Sequence, residues 1–233
     1  MVPEWRILIE EPLPAAAQMA QDAQAAAEAI PTVRVFRWNP PAISLGWKQS
    51  VPEWLKISRW REAGLELVER PTGGGIAFHG SDVSIAVIVP RAPGLSLQTF
   101  MRAVCQTVTT LCHTYGIEAT SVLHVRGDGR LTYCLMEPSP YAVLIDGKKT
   151  AGFAIRRYSE SWLIQGSLLV RQLAVELLRI LPSDIAAQLE ARALPLAKMV
   201  QQPLNEREVA ERLAAHWSAW WDGALVHELE AVR

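Results

Sequence analysis

The chain carries no surplus of charge: across 233 residues, 23 lysines and arginines stand against 24 aspartates and glutamates, a formal net charge of −1. That balance gives no overall attraction to nucleic acid or to an anionic bilayer, so neither is expected as a partner. No apolar run reaches the ~18–20 residues that a membrane-spanning helix requires. The opening Met1-Val2-Pro3-Glu4-Trp5-Arg6 lacks a basic stretch leading into an apolar one, the pattern of a secretory signal. Cysteine is scarce and odd in number: Cys105, Cys112 and Cys134, with no metal-ligand spacing, so no metal site is expected. A reducing, cytoplasmic compartment fits best. Internal repeats and low-complexity tracts are absent.

Half of the residues are apolar, enough for a sizeable core. The nine tryptophans are scattered and follow no basic stripe. Strands are expected over 5–10, 33–38, 42–46, 66–69, 83–89, 141–145, 150–157 and 162–170, from β-branched and alternating runs bounded by turn residues. Helices are expected over 13–30, where Ala16, Met19, Ala20, Ala23, Ala26, Ala27 and Ile30 recur at helical spacing, over 52–63, and over 96–115 with Ser96 as N-cap and Gly116 just past the end. Cys105 and Cys112, seven apart, belong on one buried face of the last of these. A long loop is expected over 126–140, and Asp146-Gly147 is a strong hairpin turn. From Arg171 onward the pattern is helical, broken at Pro182, Pro195 and Pro203. The fold class is α+β: one domain with a mixed, mostly antiparallel sheet flanked by helices, its core at about 5–170 and a helical cover at about 171–233.

Three constellations carry chemistry. Thr72-Gly73-Gly74-Gly75 joins two strands. Three residues without Cβ let backbone N–H groups approach a carbonyl or phosphate. No Gly-Lys-Ser/Thr follows and the Rossmann spacing is missing, so this is neither nucleotide loop. Arg70 before it and His79 after it belong at strand ends facing one opening, although His79 taken alone reads as a polar residue capping a strand end. Cys134 sits in a proline-punctuated segment, unlike its two helical counterparts. A free thiol titrates near 8.5 and needs a cation close by to be a thiolate at neutral pH. Lys148 and Lys149 follow on the hairpin, on opposite sides of the ribbon, so one of them faces the thiol. An incidental loop cysteine is the alternative. Arg156-Arg157 reads as a solvated strand end or as a docking patch for an acidic partner.

Together these segments resemble the biotin/lipoate protein ligase superfamily, on its lipoate side, over roughly residues 5–170. Arg37-Trp38-Asn39-Pro40-Pro41-Ala42-Ile43-Ser44-Leu45-Gly46 is similar to the family's first hairpin, and Arg70 through His79 to its acyl-binding loop. Asp146-Gly147-Lys148-Lys149-Thr150-Ala151-Gly152-Phe153-Ala154 is similar to its lysine hairpin, and Gln165-Gly166-Ser167-Leu168-Leu169 to the strand that closes the pocket. The Gly-Arg-Gly-Arg loop of biotin ligases is missing. Cys134, Pro138-Ser139, Tyr141 and Lys149 match the spacing of cysteine-dependent octanoyltransferases. Gly75 is ligase-like, and Gln165 stands where the closing motif usually has histidine.

The resemblance implies an acyltransferase that moves an octanoyl or lipoyl group from acyl carrier protein to a lysine of a lipoyl-domain protein, of the 2-oxoacid dehydrogenase E2 or glycine cleavage H type. Cys134 is then the thioester nucleophile and Lys149 its cation. Arg70, Thr72, Gly73, Gly74, Gly75, His79, Gly152 and Ala154 are the substrate contacts, with the strand at 83–89 lining the acyl slot. No cofactor is required on that reading. A lipoate ligase, using ATP and Mg, is one alternative; a non-catalytic homologue that binds lipoyl domains is the other.

Overall fold

The computed structural model describes residues 5–91, 96–124 and 131–231. In chain order its elements are β1 (Arg6–Ile9), α1 (Ala15–Glu28), β2 (Thr32–Phe36), β3 (Ala42–Leu45), α2 (Glu53–Lys56), α3 (Arg59–Glu62), β4 (Glu66–Glu69), β5 (Ala77–His79), β6 (Asp82–Pro90), α4 (Leu97–Thr114), β7 (Thr120–Val122), β8 (Ala142–Ile145), β9 (Lys148–Arg157), β10 (Ser161–Leu169), α5 (Val175–Ile180), α6 (Ser183–Arg192) and α7 (Glu206–Ala231), with a 3-10 turn at Leu196–Lys198. The expected sequence loop falls partly outside the described residues, at 126–130, as does the N-terminal stretch 1–4.

Seven strands form one sheet in the order β1-β2-β6-β10-β9-β8-β7, and three form a second in the order β4-β3-β5. Only β1–β2 and β3–β4 run parallel; the remaining ladders are antiparallel, so the mixed, mostly antiparallel α+β architecture holds. β5 and β7, three residues each, are too short to leave a periodic trace in the sequence. The helix expected over 52–63 is two single turns, because Ile57 adopts extended backbone between them. Ser96 precedes α4, but its side chain makes no capping bond.

One face of the large sheet carries the main apolar core. Val83, Val87 and Val89 of β6 pack with Val33 and Val35 of β2 and with Met101, Val104 and Val108 of α4 and Leu213 of α7. Cys105 and Cys112 lie in this core, and burial pushes both thiols up to about 12, so neither is reactive at neutral pH. The other face receives α1 and the small sheet. The Trp38 ring stacks on His79 at 4.1 Å between centroids and ties the two sheets together.

The orientation of α1 departs from the sequence expectation. Its buried positions are Ala15, Gln18, Met19, Asp22 and Ala26, whereas Ala16, Ala20 and Ala27 face solvent. The reason lies across the interface. Arg34 on β2 is 2% exposed and bonds to Asp22, Gln18 and Gln21 of the helix and to Glu10. A buried guanidinium left without acceptors costs several kcal/mol, more than exposing a few alanines, so the helix rolls to present its polar edge.

Candidate active site

A pocket with about 410 Å³ of empty space, part of it open to solvent, lies between the α1-side face of the large sheet and the small sheet. Strand register lays out its floor. Gly152 of β9 pairs with Ser167 of β10, Ser167 with Ser84 of β6, and Ser84 with Phe36 of β2. Residues paired across a ladder point to the same face, so these four form one row running perpendicular to the strands. Three of them are small, and the row ends against a phenylalanine. Met19 of α1 and Trp38 add apolar wall.

Cys134 stands at the glycine end of that row. Its segment runs beside the end of the glycine loop: Ile76 N donates to Thr132 O at 2.8 Å and Cys134 N to Ile76 O at 2.8 Å. The approach is close enough to require a residue without Cβ at Gly75, where that atom would lie 2.8 Å from Tyr133 N and 2.9 Å from Thr132 O. Behind the thiol, Lys149 is 4% exposed. Its Nζ donates to Cys134 O at 2.6 Å, to Ser139 Oγ at 2.6 Å and to Glu137 O at 3.2 Å. A Cβ on Gly152 would sit 3.2 Å from Lys149 Nζ and 3.3 Å from Cys134 Sγ. Ammonium and thiol therefore flank the same bare stretch of backbone. The hairpin that delivers Lys149 turns at Asp146 and Gly147, both left-handed at φ 50° and 72°. Lys149 is buried and Lys148 half-buried at the hairpin end.

Arg70 organises the glycine loop from beneath. Nη2 donates to Gly73 O at 2.8 Å and to Gly75 O at 2.6 Å, and Nη1 to Ser44 O and Ser44 Oγ, both at 3.1 Å. Burial holds this guanidinium below the usual arginine range, opposed by its electrostatic interaction with Cys134. Thr72 is fixed from the side: its hydroxyl donates to Gln165 Oε1 at 2.7 Å and its N–H to the same oxygen at 3.3 Å. Gln165 Nε2 in turn donates to Asp22 Oδ2 at 2.5 Å. The loop is thus connected through one amide to the buried Asp22–Arg34 pair. His79 has both ring nitrogens engaged, Nε2 with Ser44 Oγ at 2.8 Å and Nδ1 with Asp82 Oδ2 at 2.8 Å. Asp82 also accepts from Ser84 and Ser167, and although burial opposes it, the His79 partnership holds its carboxyl below the usual range.

The structure therefore brings Cys134, Arg70, His79, Gly152 and Ala154 to one cavity. Thr72, Gly73–Gly75 and Lys149 do not line it: Arg70 holds the carbonyls of Gly73 and Gly75, and Lys149 bonds the Cys134 carbonyl and lines a second cleft. Three expectations need correction. The valines of β6 face the opposite core, and only Ser84 and Ile85 of that strand reach the cavity. His79 is no simple strand cap but a buried junction. Arg156 is not a solvated strand end, since its Nη1 donates to Pro71 O at 2.9 Å, while Arg157 is exposed. Sequence reasoning also missed Ser44, Asp82 and Asp22, whose only signal was a polar residue in an otherwise apolar pattern.

The two-sheet α+β core places the Cys134 thiol in a pocket between the sheets, next to a glycine loop and a lysine-bearing hairpin. Residues 14–218 match the family model described as the lipoyl protein ligase A/B catalytic domain, and the chain belongs to that family. It is similar to octanoyltransferase LipM of Symbiobacterium thermophilum, 28% identical over 235 residues that cover 92% of this chain and 85% of the relative. The LipM of Kyrpidia tusciae is 29% identical over 90% of this chain and 84% of its own. Among solved structures, the bipartite lipoate protein ligase of Thermoplasma acidophilum, studied with its E2 lipoyl domain, superposes with a TM-score of 0.68 at 20% identity, over 93% of this chain and 83% of that one. A lipoate-protein ligase A bound with ATP superposes with a TM-score of 0.69 at 19% identity, over 93% and 85%. These structural likenesses concern the fold.

Proposed function

We propose that the protein is an octanoyltransferase of protein lipoylation, working through a thioester on Cys134. The observation that carries this reading is the placement of the thiol in the cavity beside Gly152, with buried Arg70 lining the same cavity and buried Lys149 bonded to the Cys134 carbonyl. The octanoyltransferase relatives support the activity.

In the first step the Cys134 thiolate attacks the thioester carbonyl of octanoyl-acyl carrier protein. A new S–C bond forms, the bond to the carrier sulfur breaks, and the carrier thiolate leaves and takes up a proton. One thioester replaces another, so ATP is not needed. In the second step a lysine amine of a lipoyl domain attacks the acyl-enzyme. The amide C–N bond forms, the amine loses its proton, and Cys134 departs as thiolate. Amide formation from a thioester is downhill. Lys149 and Arg70 supply positive charge where negative charge develops on the acyl oxygen and on sulfur. The acyl chain runs along the row Gly152–Ser167–Ser84 toward Phe36. At ~0.8 kcal/mol per buried methylene, its seven carbons beyond the carbonyl contribute on the order of 5 kcal/mol.

The experiment is to incubate the protein with an apo lipoyl domain and either octanoyl-carrier protein or octanoate with ATP and Mg. Transfer from the carrier, with a mass adduct of one octanoyl group that is absent in Cys134→Ala, is the expected result. Transfer only from octanoate plus ATP, unaffected by Cys134→Ala, establishes a ligase instead. Absence of turnover with both donors leaves a lipoyl-domain-binding homologue.

A further inference from the structure

Trp47 is 47% exposed, a large indole at the surface two residues after β3. Two cations are already gathered on it: the Arg156 guanidinium lies 4.7 Å from the ring centroid and the Lys48 ammonium 4.4 Å. Arg156 also stacks on Tyr158 at 5.2 Å. We propose that Trp47, Lys48 and Arg156 are the docking surface for the acceptor domain, through a face of that domain that carries carboxylates beside its target lysine. This inference rests on the transferase reading of Cys134.

Three arguments support it. First, an exposed tryptophan ringed by cations has the composition of an interface hot spot, where Trp and Arg are enriched. Arg156 is fixed by two rings and by the Pro71 carbonyl, so little side-chain freedom is lost when a partner binds. The chain as a whole is nearly neutral, so steering toward a carboxylate-bearing partner must come from a local cluster of this kind. Glu69 stands nearby, and its carboxylate accepts the Lys48 backbone N–H at 3.3 Å while the Lys48 ammonium stays on the indole.

Second, the patch is tied to the reacting centre. Trp47 N donates to Thr72 O at 2.8 Å and Arg156 Nη1 to Pro71 O at 2.9 Å, so both residues grip the segment that leads into the glycine triplet. Arg156 lies two residues beyond Ala154, which lines the cavity.

Third, reach selects the occupant. A donor thioester on a phosphopantetheine arm is delivered by a long flexible tether, so its carrier is free to dock well away from Cys134. The accepting amine sits on a lysine side chain, which is far shorter, so the domain that bears it must seat at the rim of the site. A cationic aromatic patch whose Arg156 lies two residues along β9 from the cavity-lining Ala154 therefore fits the acceptor.

The test separates the two half-reactions. Wild type, Trp47→Ala and Lys48→Glu are loaded with octanoyl-carrier protein, and the acyl-enzyme is mixed with an apo lipoyl domain under single-turnover conditions. Loading at the wild-type rate is expected in both variants. Transfer to the lipoyl domain should fall roughly tenfold or more for Trp47→Ala, the usual effect of truncating an interface tryptophan. For Lys48→Glu it should fall and lose its dependence on salt. Wild-type transfer rates in both variants overturn the proposal, and so does a loss of loading as large as the loss of transfer. If wild type never loads Cys134, the transferase reading has failed on its own. Titration of the apo lipoyl domain against wild type and variants then decides the docking claim, since equal affinities overturn it and weaker variant binding upholds it.

Discussion

Lys149 Nζ donates a 2.6 Å hydrogen bond to the carbonyl oxygen of Cys134, the residue it faces across the bare backbone of Gly152. The same ammonium holds Ser139 Oγ and Glu137 O, so one buried cation fixes the turn that presents the thiol. Lys149 thus both positions Cys134 and brings positive charge beside it. Replacing it with methionine strands two backbone carbonyls and a hydroxyl, at about 1–3 kcal/mol for each buried group left unsatisfied. Lys149→Met is expected to cut the rate of Cys134 acylation by roughly 100-fold, the scale of losing one charge-stabilising donor. It is also expected to speed amide exchange over residues 132–139. Mass spectrometry of the acyl-enzyme and hydrogen exchange read the two effects, and wild-type acylation in this variant removes Lys149 from the mechanism.

Gly152→Ala probes the same geometry from the other side. The added methyl would meet Lys149 Cε at 2.9 Å and Cys134 Sγ at 3.3 Å. The lysine end is flexible enough to move, so the fold survives while the ammonium is displaced from its three acceptors. Acyl-enzyme formation should fall by about tenfold or more, an effect of misplacing a group by a fraction of an ångström. Unfolding midpoints should change little. Unchanged loading kinetics would mean that the close approach is incidental.

Much of this arrangement is readable from local pattern. Asp146-Gly147 demands a two-residue hairpin, the hairpin orients Lys149 inward, and the glycine triplet marks where backbone must pass close to backbone. What escapes local reading is set by partners distant in sequence. Asp22 and Gln18 look like the solvent edge of an alanine-rich helix until Arg34 is placed opposite them. Gln165 looks like a lost histidine, yet it bridges Thr72 to Asp22. Ser44, His79 and Asp82 form one buried chain, although Ser44 is 35 residues from His79, a separation no short-range pattern spans.

The end wall of the slot predicts acyl-length selectivity. Phe36 closes the row that begins at Gly152. Phe36→Ala opens that end, and each added methylene then gains up to ~0.8 kcal/mol, about fourfold in relative kcat/KM. Competition between octanoyl and decanoyl carrier protein should shift toward the longer chain in the variant. Removing the ring also leaves a void, so stability should drop by about 3–5 kcal/mol unless the site collapses. An unchanged preference in a folded variant would show that the chain lies elsewhere.

The Asp22–Arg34 pair predicts how stability varies with pH. Burial raises the Asp22 carboxyl from 3.8 to about 6, with Arg34 and Gln165 acting in the opposite direction. Between those two values the folded protein keeps a proton that the unfolded chain has released. Stability from this group is therefore present in full below pH 3.8 and is lost as pH rises toward 6. The shift corresponds to on the order of 3 kcal/mol at 1.36 kcal/mol per unit. Asp82 works the other way, but its lowered carboxyl acts below the ordinary carboxylate range and stays outside this window. Asp22→Asn removes the titration. Urea unfolding at several pH values between 4 and 7 should show wild type losing stability relative to the variant as pH rises, and parallel curves would mean that Asp22 stays ionised throughout. Because Gln165 links Asp22 to Thr72, the same substitution should also weaken the hold on the glycine loop, visible as faster amide exchange at residues 72–75.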